Sequence, residues 1–312
     1  MEILYATLES IAVLFGLGLL GFWIISRRVM PETALDILSP FALDIALPSL
    51  IFVSILKGFN PAAHPGWWSL PLWWCGFMAM VGVLTALGSR LAPPHLRREF
   101  TMSLLYPNAI FIPLAVLTGL FGAESPRLVD LFLFTLLFPS LFFGSYHLFY
   151  GAGKSKLDLS RIFNIVLIAT VLAVVLKLSG LHWLLPAFGL QILSMLGATA
   201  IPLLMLILGG SAYADFRRGG ELYTVECVKF VLLKNIVFPL TALGLLLLIR
   251  PPQPVALLIM LESAVPPLSA VPVAISRMGG NRNAANQFLI ASFAASLVTI
   301  PAAMTLFAVF FN

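Results

Sequence analysis

Three ionisable residues lie inside long apolar stretches of the chain: Asp44, Lys234 and Glu262. An ionisable side chain within a bilayer is energetically costly, and it therefore marks a binding site or an ion pathway by default. A carboxylate in this setting can bind a proton or a sodium ion, whereas the ammonium group of Lys234 can pair with an acid or attract an anion. We predict that all three residues contribute to ion coupling. The alternative for Glu262 is a carboxyl group that is hydrogen-bonded to a neighbouring helix.

Prolines with matching spacing occur beside further polar residues. Pro107 and Pro113 are six residues apart in one apolar stretch, and Pro266 and Pro272 are six residues apart in another. A proline inside a helix removes a backbone hydrogen bond, and the freed carbonyl is tolerated in lipid only where protein or a wet cavity covers it. Freed carbonyls suit a cation, and the N-termini of half-helices suit an anion. The alternative is that these prolines only kink helices for packing.

Interrupted helices in matching positions of two halves indicate a substrate site near the middle of the membrane. The residues expected to contact the substrate are polar residues and prolines at the interruptions: Tyr106, Pro107, Asn108, Pro113, Ser263, Pro266, Pro267 and Ser269. Catalysis is not expected, because the chain has no His-Glu-x-x-His motif, no Gly-x-Ser-x-Gly motif and no phosphate-binding loop. No metal site and no cofactor are expected, apart from a coupling proton or a sodium ion near Glu262.

The composition is that of a membrane protein. Of the 312 residues, 60% are hydrophobic and only 10% are charged, whereas a soluble globular protein has about 25% charged residues. The apolar residues suffice for roughly nine or ten membrane-spanning helices of about 20 residues each. This composition excludes a cytosolic enzyme, a disordered chain and a nucleic-acid-binding protein, and it makes the lipid bilayer the expected surroundings.

Apolar segments bounded by glycine, proline and charged residues predict ten membrane spans. They comprise residues 3–25, 33–56, 67–89, 100–121, 128–150, 162–180, 186–212, 222–249, 254–278 and 285–311. Spans two and seven, four and nine, and five and ten share proline spacings or short motifs, which predicts an internal repeat. Because each half has five spans, the second half enters the membrane from the opposite face. The expected fold is an all-α polytopic membrane protein with ten transmembrane helices. These helices form two inverted five-helix repeats, residues 1–155 and 156–312, and helices four and nine are broken and cross.

The distribution of basic residues predicts the orientation. If the N-terminus is outside, the cytoplasmic loops contain 12 of the 18 lysine and arginine residues, the external side contains 4, and span eight contains 2. Loops rich in lysine and arginine stay in the cytoplasm. Both termini are therefore expected outside the cytoplasmic (inner) membrane. The net charge of +5 follows from this asymmetry and does not indicate an anionic macromolecular partner.

Four stretches of the chain resemble the auxin efflux carrier family, and they occur in the order of that family. They are Ala46–Phe52, Tyr106–Asn108 with Ile112–Leu114, Leu196–Leu204 with Gly209–Ser211, and Glu262–Ala270. The Glu262 segment also resembles, more loosely, the ion-binding helix of sodium-coupled bile acid symporters. In the family, glycines and a longer gap usually separate the asparagine from the second proline, whereas Ala109–Ile112 fills a shorter gap here.

The resemblance implies ten spans in two inverted halves, with two broken helices that cross at proline in a transport domain. This domain moves against a scaffold that often dimerises, so a homodimer is expected. Asn108 would match the crossover asparagine that binds a substrate carboxylate. Bacterial members of the family are thought to carry small organic anions such as dicarboxylates.

The expected function is therefore that of a secondary active transporter. Its substrate would be a small mono- or dicarboxylate, auxin-like or malate- or malonate-like, moved by alternating access. Two alternatives remain at this point. One is a sodium-coupled symporter of the bile acid type, and the other is a membrane sensor that binds a ligand without transporting it.

Overall fold

A computed structural model describes residues 2–62, 65–122, 124–150, 164–217 and 221–311 of the chain. Helices cover nearly all of these residues, and no β-strand occurs among them. The predicted boundary between two halves, at residues 155 and 156, lies outside the described residues.

The helices follow one another with short connections. In chain order they are α1 (Glu2–Ser26), α2 (Ala34–Gly58), α3 (Trp67–Leu91), α4 (Arg97–Leu105), α5 (Phe111–Phe121), α6 (Pro126–Tyr150), α7 (Ile165–Leu178), α8 (Ala187–Ala198 and Ala200–Arg217), α9 (Thr224–Ile249), α10 (Gln253–Ala264), α11 (Val271–Arg277) and α12 (Arg282–Phe311). Within the described residues, α2, α3, α6, α8, α9 and α12 are long and apolar enough to cross a membrane. The other apolar helices are shorter, and they include α5, α7 and α10.

The predicted fourth and ninth spans are each divided into two helices. Between α4 and α5, and between α10 and α11, the chain is extended, beginning at Tyr106 and Val265. Each of these residues precedes a proline, whose ring clashes with a helical conformation at the residue before it. The interruptions therefore arise at Pro107 and Pro266.

The two later prolines do not interrupt their helices. Pro113 lies in the first turn of α5, and Pro272 lies in the first turn of α11. A proline in a first turn removes no intrahelical hydrogen bond, because the N–H groups there have no partner within the helix. The expectation that these two prolines free carbonyls inside a helix is therefore wrong.

Helix α10 lies at the centre of the bundle. All of its residues from Val255 to Ala264 are buried, as expected for a helix that is apolar on every face. It packs against α9, α12, α3 and α6. The end of α10 and the break that follows it are thus buried as far as Leu268.

The helices α2 and α9 each contain a π-helical turn, Phe41–Ala46 and Leu232–Val237. Each turn is followed at the second residue by a proline, Pro48 or Pro239. Proline cannot donate to the carbonyl four residues earlier, and a wider turn lets the helix continue without that bond. Such turns occur frequently at functional sites.

Helix α1 packs closely on α8 through glycines. A Cβ atom at Gly209 would overlap the backbone carbonyl of Gly18, and one at Gly21 would overlap the backbone of Leu206. Small residues let helix backbones approach each other in a membrane. This contact joins the first helix of the chain to the later half.

Candidate functional site

The two interruptions are hydrogen-bonded to each other. The backbone N–H of Asn108 donates to the carbonyl of Pro266 across 2.8 Å, and the N–H of Leu268 donates to the carbonyl of Tyr106 across 2.9 Å. Extended backbone within a bundle of apolar helices is stable only if its polar groups are satisfied. The two breaks satisfy each other and so form one antiparallel crossover.

Asn108 lies at this crossover and is only 1% exposed. Its Oδ1 accepts a hydrogen bond of 3.2 Å from the N–H of Phe111, the first residue of α5. The side chain thereby caps the helix in the manner of an N-cap residue. The hydrogen bond seen for this side chain involves Oδ1, which leaves the amide N–H₂ as a candidate donor to a ligand.

The predicted serines have different surroundings. Ser263 is buried, and its hydroxyl donates to the carbonyl of Met260 across 2.7 Å. The hydroxyl oxygen of Ser263 keeps its capacity to accept. Ser269 lies half-buried between the break and α11.

The hydroxyl of Tyr106 is used within the protein. It forms a 2.8 Å hydrogen bond with Ser145, whose own proton goes to the carbonyl of Leu141. Tyr106 is therefore the donor, and its ring packs edge-on against Phe142. The structure thus ties the side chain of Tyr106 to α6, and the contribution of Tyr106 to the crossover comes from its backbone carbonyl.

Lys234 and Glu262 are both completely buried. They lie on adjacent elements, Lys234 in the π-helical turn of α9 and Glu262 near the end of α10, and their charges interact. Among the described residues, neither the ammonium group nor either carboxylate oxygen has a hydrogen-bond partner. The alternative of a Glu262 carboxyl group hydrogen-bonded to a neighbouring helix is therefore not found in this part of the chain.

The π-helical turn is held in place by the residue next to Lys234. Asn235 donates to the carbonyl of Ser292 across 3.1 Å and to the hydroxyl of Thr299 across 3.3 Å, and it accepts a 2.7 Å hydrogen bond from the hydroxyl of Ser292. These bonds anchor the turn on α12. The sequence analysis missed Asn235, although a Lys-Asn pair in the middle of an apolar helix is a signal that could have identified it.

Asp44 is not placed in a buried site. It lies in the π-helical turn of α2 and is exposed on the surface of the chain, beside the exposed residues Leu43 and Ile45. This turn packs against α8. Asp44 thus differs from Lys234 and Glu262, with which the sequence analysis grouped it.

A second polar cluster, which the sequence analysis also missed, surrounds Glu99. This residue is 4% exposed, and its Oε1 accepts hydrogen bonds of 2.9 Å from the hydroxyl of Tyr150 and from the N–H of Asn281. The cluster joins the beginning of α4 to the end of α6 and to the segment between α11 and α12. It holds the outer ends of α4 and α11 together, while the crossover joins their inner ends.

The cluster extends to the segment that precedes α9. The side-chain amide of Asn281 donates to the hydroxyl of Tyr223, which donates to Glu221. Burial, reinforced by the carboxylate of Glu221, raises the pKa of the Tyr223 phenol. The phenol therefore keeps the proton that it donates to Glu221.

The sequence profile of one family, described as membrane transport protein, matches residues 6–155 and 152–304 of the chain. The chain belongs to this family. It is the auxin efflux carrier family, so the resemblance of the four sequence stretches is confirmed. Membership makes the chain an integral membrane protein and indicates a transporter rather than an enzyme.

Two relatives are similar to this member of the membrane transport protein family. The uncharacterized transporter MJ1031 of Methanocaldococcus jannaschii is 26% identical over 267 residues, which cover 83% of this chain and 85% of the relative. One subunit of the Na(+)-translocating NADH-quinone reductase of Haemophilus influenzae is 33% identical over 121 residues. This second match covers 38% of the chain and 58% of the reductase polypeptide, so it is a partial likeness.

Proposed function

We propose that the protein is a secondary active transporter that moves a small organic anion, a mono- or dicarboxylate, across the cytoplasmic membrane by alternating access. Its ten membrane-crossing segments form two inverted halves, residues 1–155 and 156–312, with both termini outside. The crossover of α4–α5 with α10–α11 is the substrate site.

The observation that carries this proposal is the position of the Asn108 side chain at the crossover, where Oδ1 bonds to the first residue of α5. The side chain lies beside the N-terminus of α5, where the helix dipole and the first N–H groups favour a negative charge. Asn108 is only 1% exposed, and a hydrogen bond from its amide N–H₂ to a ligand would be stronger there than in water. A carboxylate oxygen is an acceptor with a matching charge. Ser263 at the end of α10 and Ser269 in the break that follows it would be further contacts of the substrate.

Alternating access requires that the crossover move relative to another part of the bundle. The helices packed around α10 are α3, α6, α9 and α12, whereas α2 packs mainly on α7 and α8. We take these two groups of helices as the two units that move relative to each other. Helix α1 contacts both groups. The first group carries the crossover together with Lys234 and Glu262.

The test is transport in reconstituted vesicles, with labelled mono- and dicarboxylates on one side. The variant N108A is expected to abolish the flux of the best substrate, because it removes the amide donor. The matched control is N164A, since Asn164 caps α7 through the same type of bond, to the N–H of Leu167 across 2.9 Å. Both variants lose a helix cap, at a cost of about 1 kcal/mol, but only N108A changes the crossover.

The outcomes separate the proposal from its alternatives. Flux in N108A equal to that of the wild type would refute the assignment of the site. Saturable binding of an anion without accumulation in the vesicles would favour a sensor over a transporter.

A further inference from the structure

Glu262 and Lys234 are both completely buried, on a helix and a π-helical turn that pack against each other. A buried charge is tolerated only if it is paired or neutralised. Lys234 supplies the opposite charge from an adjacent element, and no other cationic group interacts electrostatically with Glu262 in the described part of the chain. The pair is therefore neutral overall.

The buried lysine opposes the binding of a sodium ion near Glu262. The ammonium group of Lys234 would repel a second cation, and this repulsion is strong at a buried site. The hydroxyl oxygen of Ser263, whose proton goes to the carbonyl of Met260, would be only one of the several oxygen ligands that a sodium ion requires.

We propose that Lys234 is the resident cation of Glu262, which takes the electrostatic place of a coupling sodium ion and makes the carrier independent of sodium. This inference rests on the proposed transport function, because only a transporter has a coupling ion to replace. It assigns a role to Lys234 that is separate from the binding of the substrate at Asn108.

The structure provides a dedicated setting for this lysine. The π-helical turn Leu232–Val237 places Lys234 in the protein interior, and Asn235 anchors the turn on α12. The Nζ atom lies 4.8 Å from the centroid of the Phe238 ring, and the face of an aromatic ring stabilises a cation. The ammonium group thus lies over the ring, and no hydrogen bond within the described part of the chain fixes it elsewhere.

The proposal is tested by thermal unfolding of the purified protein in sodium chloride and in choline chloride at equal ionic strength. The wild type is expected to have the same Tm in both salts. In K234M, the carboxylate of Glu262 loses its resident cation, and sodium is expected to bind and raise the Tm by about 3 °C. The double variant K234M/E262Q, which has no carboxylate, is expected to lose this response.

The matched control is K229M. Lys229 lies on the same helix five residues earlier, and its Nζ donates to the carbonyl of Leu91 at the end of α3 across 3.3 Å, in an exposed position. Loss of this lysine leaves no buried carboxylate without a cation. K229M is therefore expected to respond to sodium no more than the wild type does.

Two results would overturn the proposal: a wild-type Tm that rises in sodium, or a folded K234M whose Tm does not respond to sodium. If K234M does not fold, the double variant decides. If K234M/E262Q folds, the proposal is supported, because the lysine is then required only when the carboxylate of Glu262 is present. If neither variant folds, the proposal is contradicted. The unfolding experiment does not depend on transport. If no anion is transported, the proposed function is refuted, but the effect of sodium on the Tm can still be interpreted.

Discussion

The backbone N–H of Asn108 donates to the carbonyl of Pro266 across 2.8 Å, although 158 positions separate the two residues in the chain. Each residue lies at a break in a helix that proline prevents from continuing. The bond makes two local breaks into one crossover, and it places the side chain of Asn108 at the point where the four half-helices meet.

Asn108 has two roles at the crossover, and N108D separates them. Aspartate caps a helix as well as asparagine does, because its carboxylate oxygen accepts the same N–H bond and interacts favourably with the helix dipole. It lacks the amide donor and repels an anion. Because the new carboxylate is buried, we expect N108D to unfold at a lower Tm than the wild type and the folded variant to lose anion transport in vesicles. Retained transport in N108D would show that the amide group does not bind the substrate.

Glu99 is expected to be a major contributor to stability. In E99A, the hydroxyl of Tyr150 and the N–H of Asn281 lose their acceptor in a buried position, which costs about 1–3 kcal/mol for each unsatisfied group. The expected result is a lower Tm, with a smaller decrease for Y150F, which removes only one bond. The control is E124A, because Glu124 is exposed and its ion pair with Lys57 is 3.9 Å long. A Tm of E99A equal to that of E124A would contradict the role of the cluster.

Asn235 and Ser292 are expected to act as a pair. N235A removes both hydrogen bonds to Ser292, whereas S292A removes only the bond from the Ser292 hydroxyl, which the two variants therefore share. The double variant should therefore lose less stability than the sum of the two single losses, with a coupling energy of about 0.5–3 kcal/mol. Chemical unfolding of the four proteins gives this energy. Additive losses would mean that the two side chains do not hold the π-helical turn together.

Gly209 is expected to be intolerant of any side chain. In G209A the new methyl group meets the backbone of Gly18, which cannot move aside without separating α1 from α8. Overpacking of this type costs about 1–3 kcal/mol, and a lower Tm is the expected result. At Gly244 a Cβ would meet nothing within 4 Å, and G244A should raise the stability of α9 by up to about 1 kcal/mol, because alanine favours a helix more than glycine does. Equal effects of both changes would contradict the close contact of α1 with α8.

The parts of the fold that depend on local chemistry could be predicted from the sequence. Proline acts on its own hydrogen bond and on the conformation of the residue before it, so the breaks at Pro107 and Pro266 follow from their positions. The same reasoning failed at Pro113 and Pro272, because it did not identify where the next helix begins. A proline in a first turn is compatible with the helix that follows it.

The candidate site could be predicted only in part. A charged or polar residue in an apolar stretch correctly indicated that Glu262, Lys234 and Asn108 are buried, while their roles in binding and coupling stay predictions. It was an insufficient signal for Asp44, because the side of a helix on which a residue lies depends on the helices packed around it. The π-helical turns, which change that side, were not visible in the hydrophobic pattern.

The sequence by itself determined that this chain is a helical membrane protein of a transporter family and that proline interrupts two of its helices. These properties depend on composition, on motifs and on single residues, each of which acts over a few neighbouring positions. Only the tertiary structure decided that the two interruptions are hydrogen-bonded, that Lys234 and Glu262 are buried on adjacent elements, and that Glu99 joins segments far apart in the chain. These relationships depend on which helix faces pack together. A buried charge or an unpaired backbone group needs a partner, and the packing of the helices determines which group that partner is.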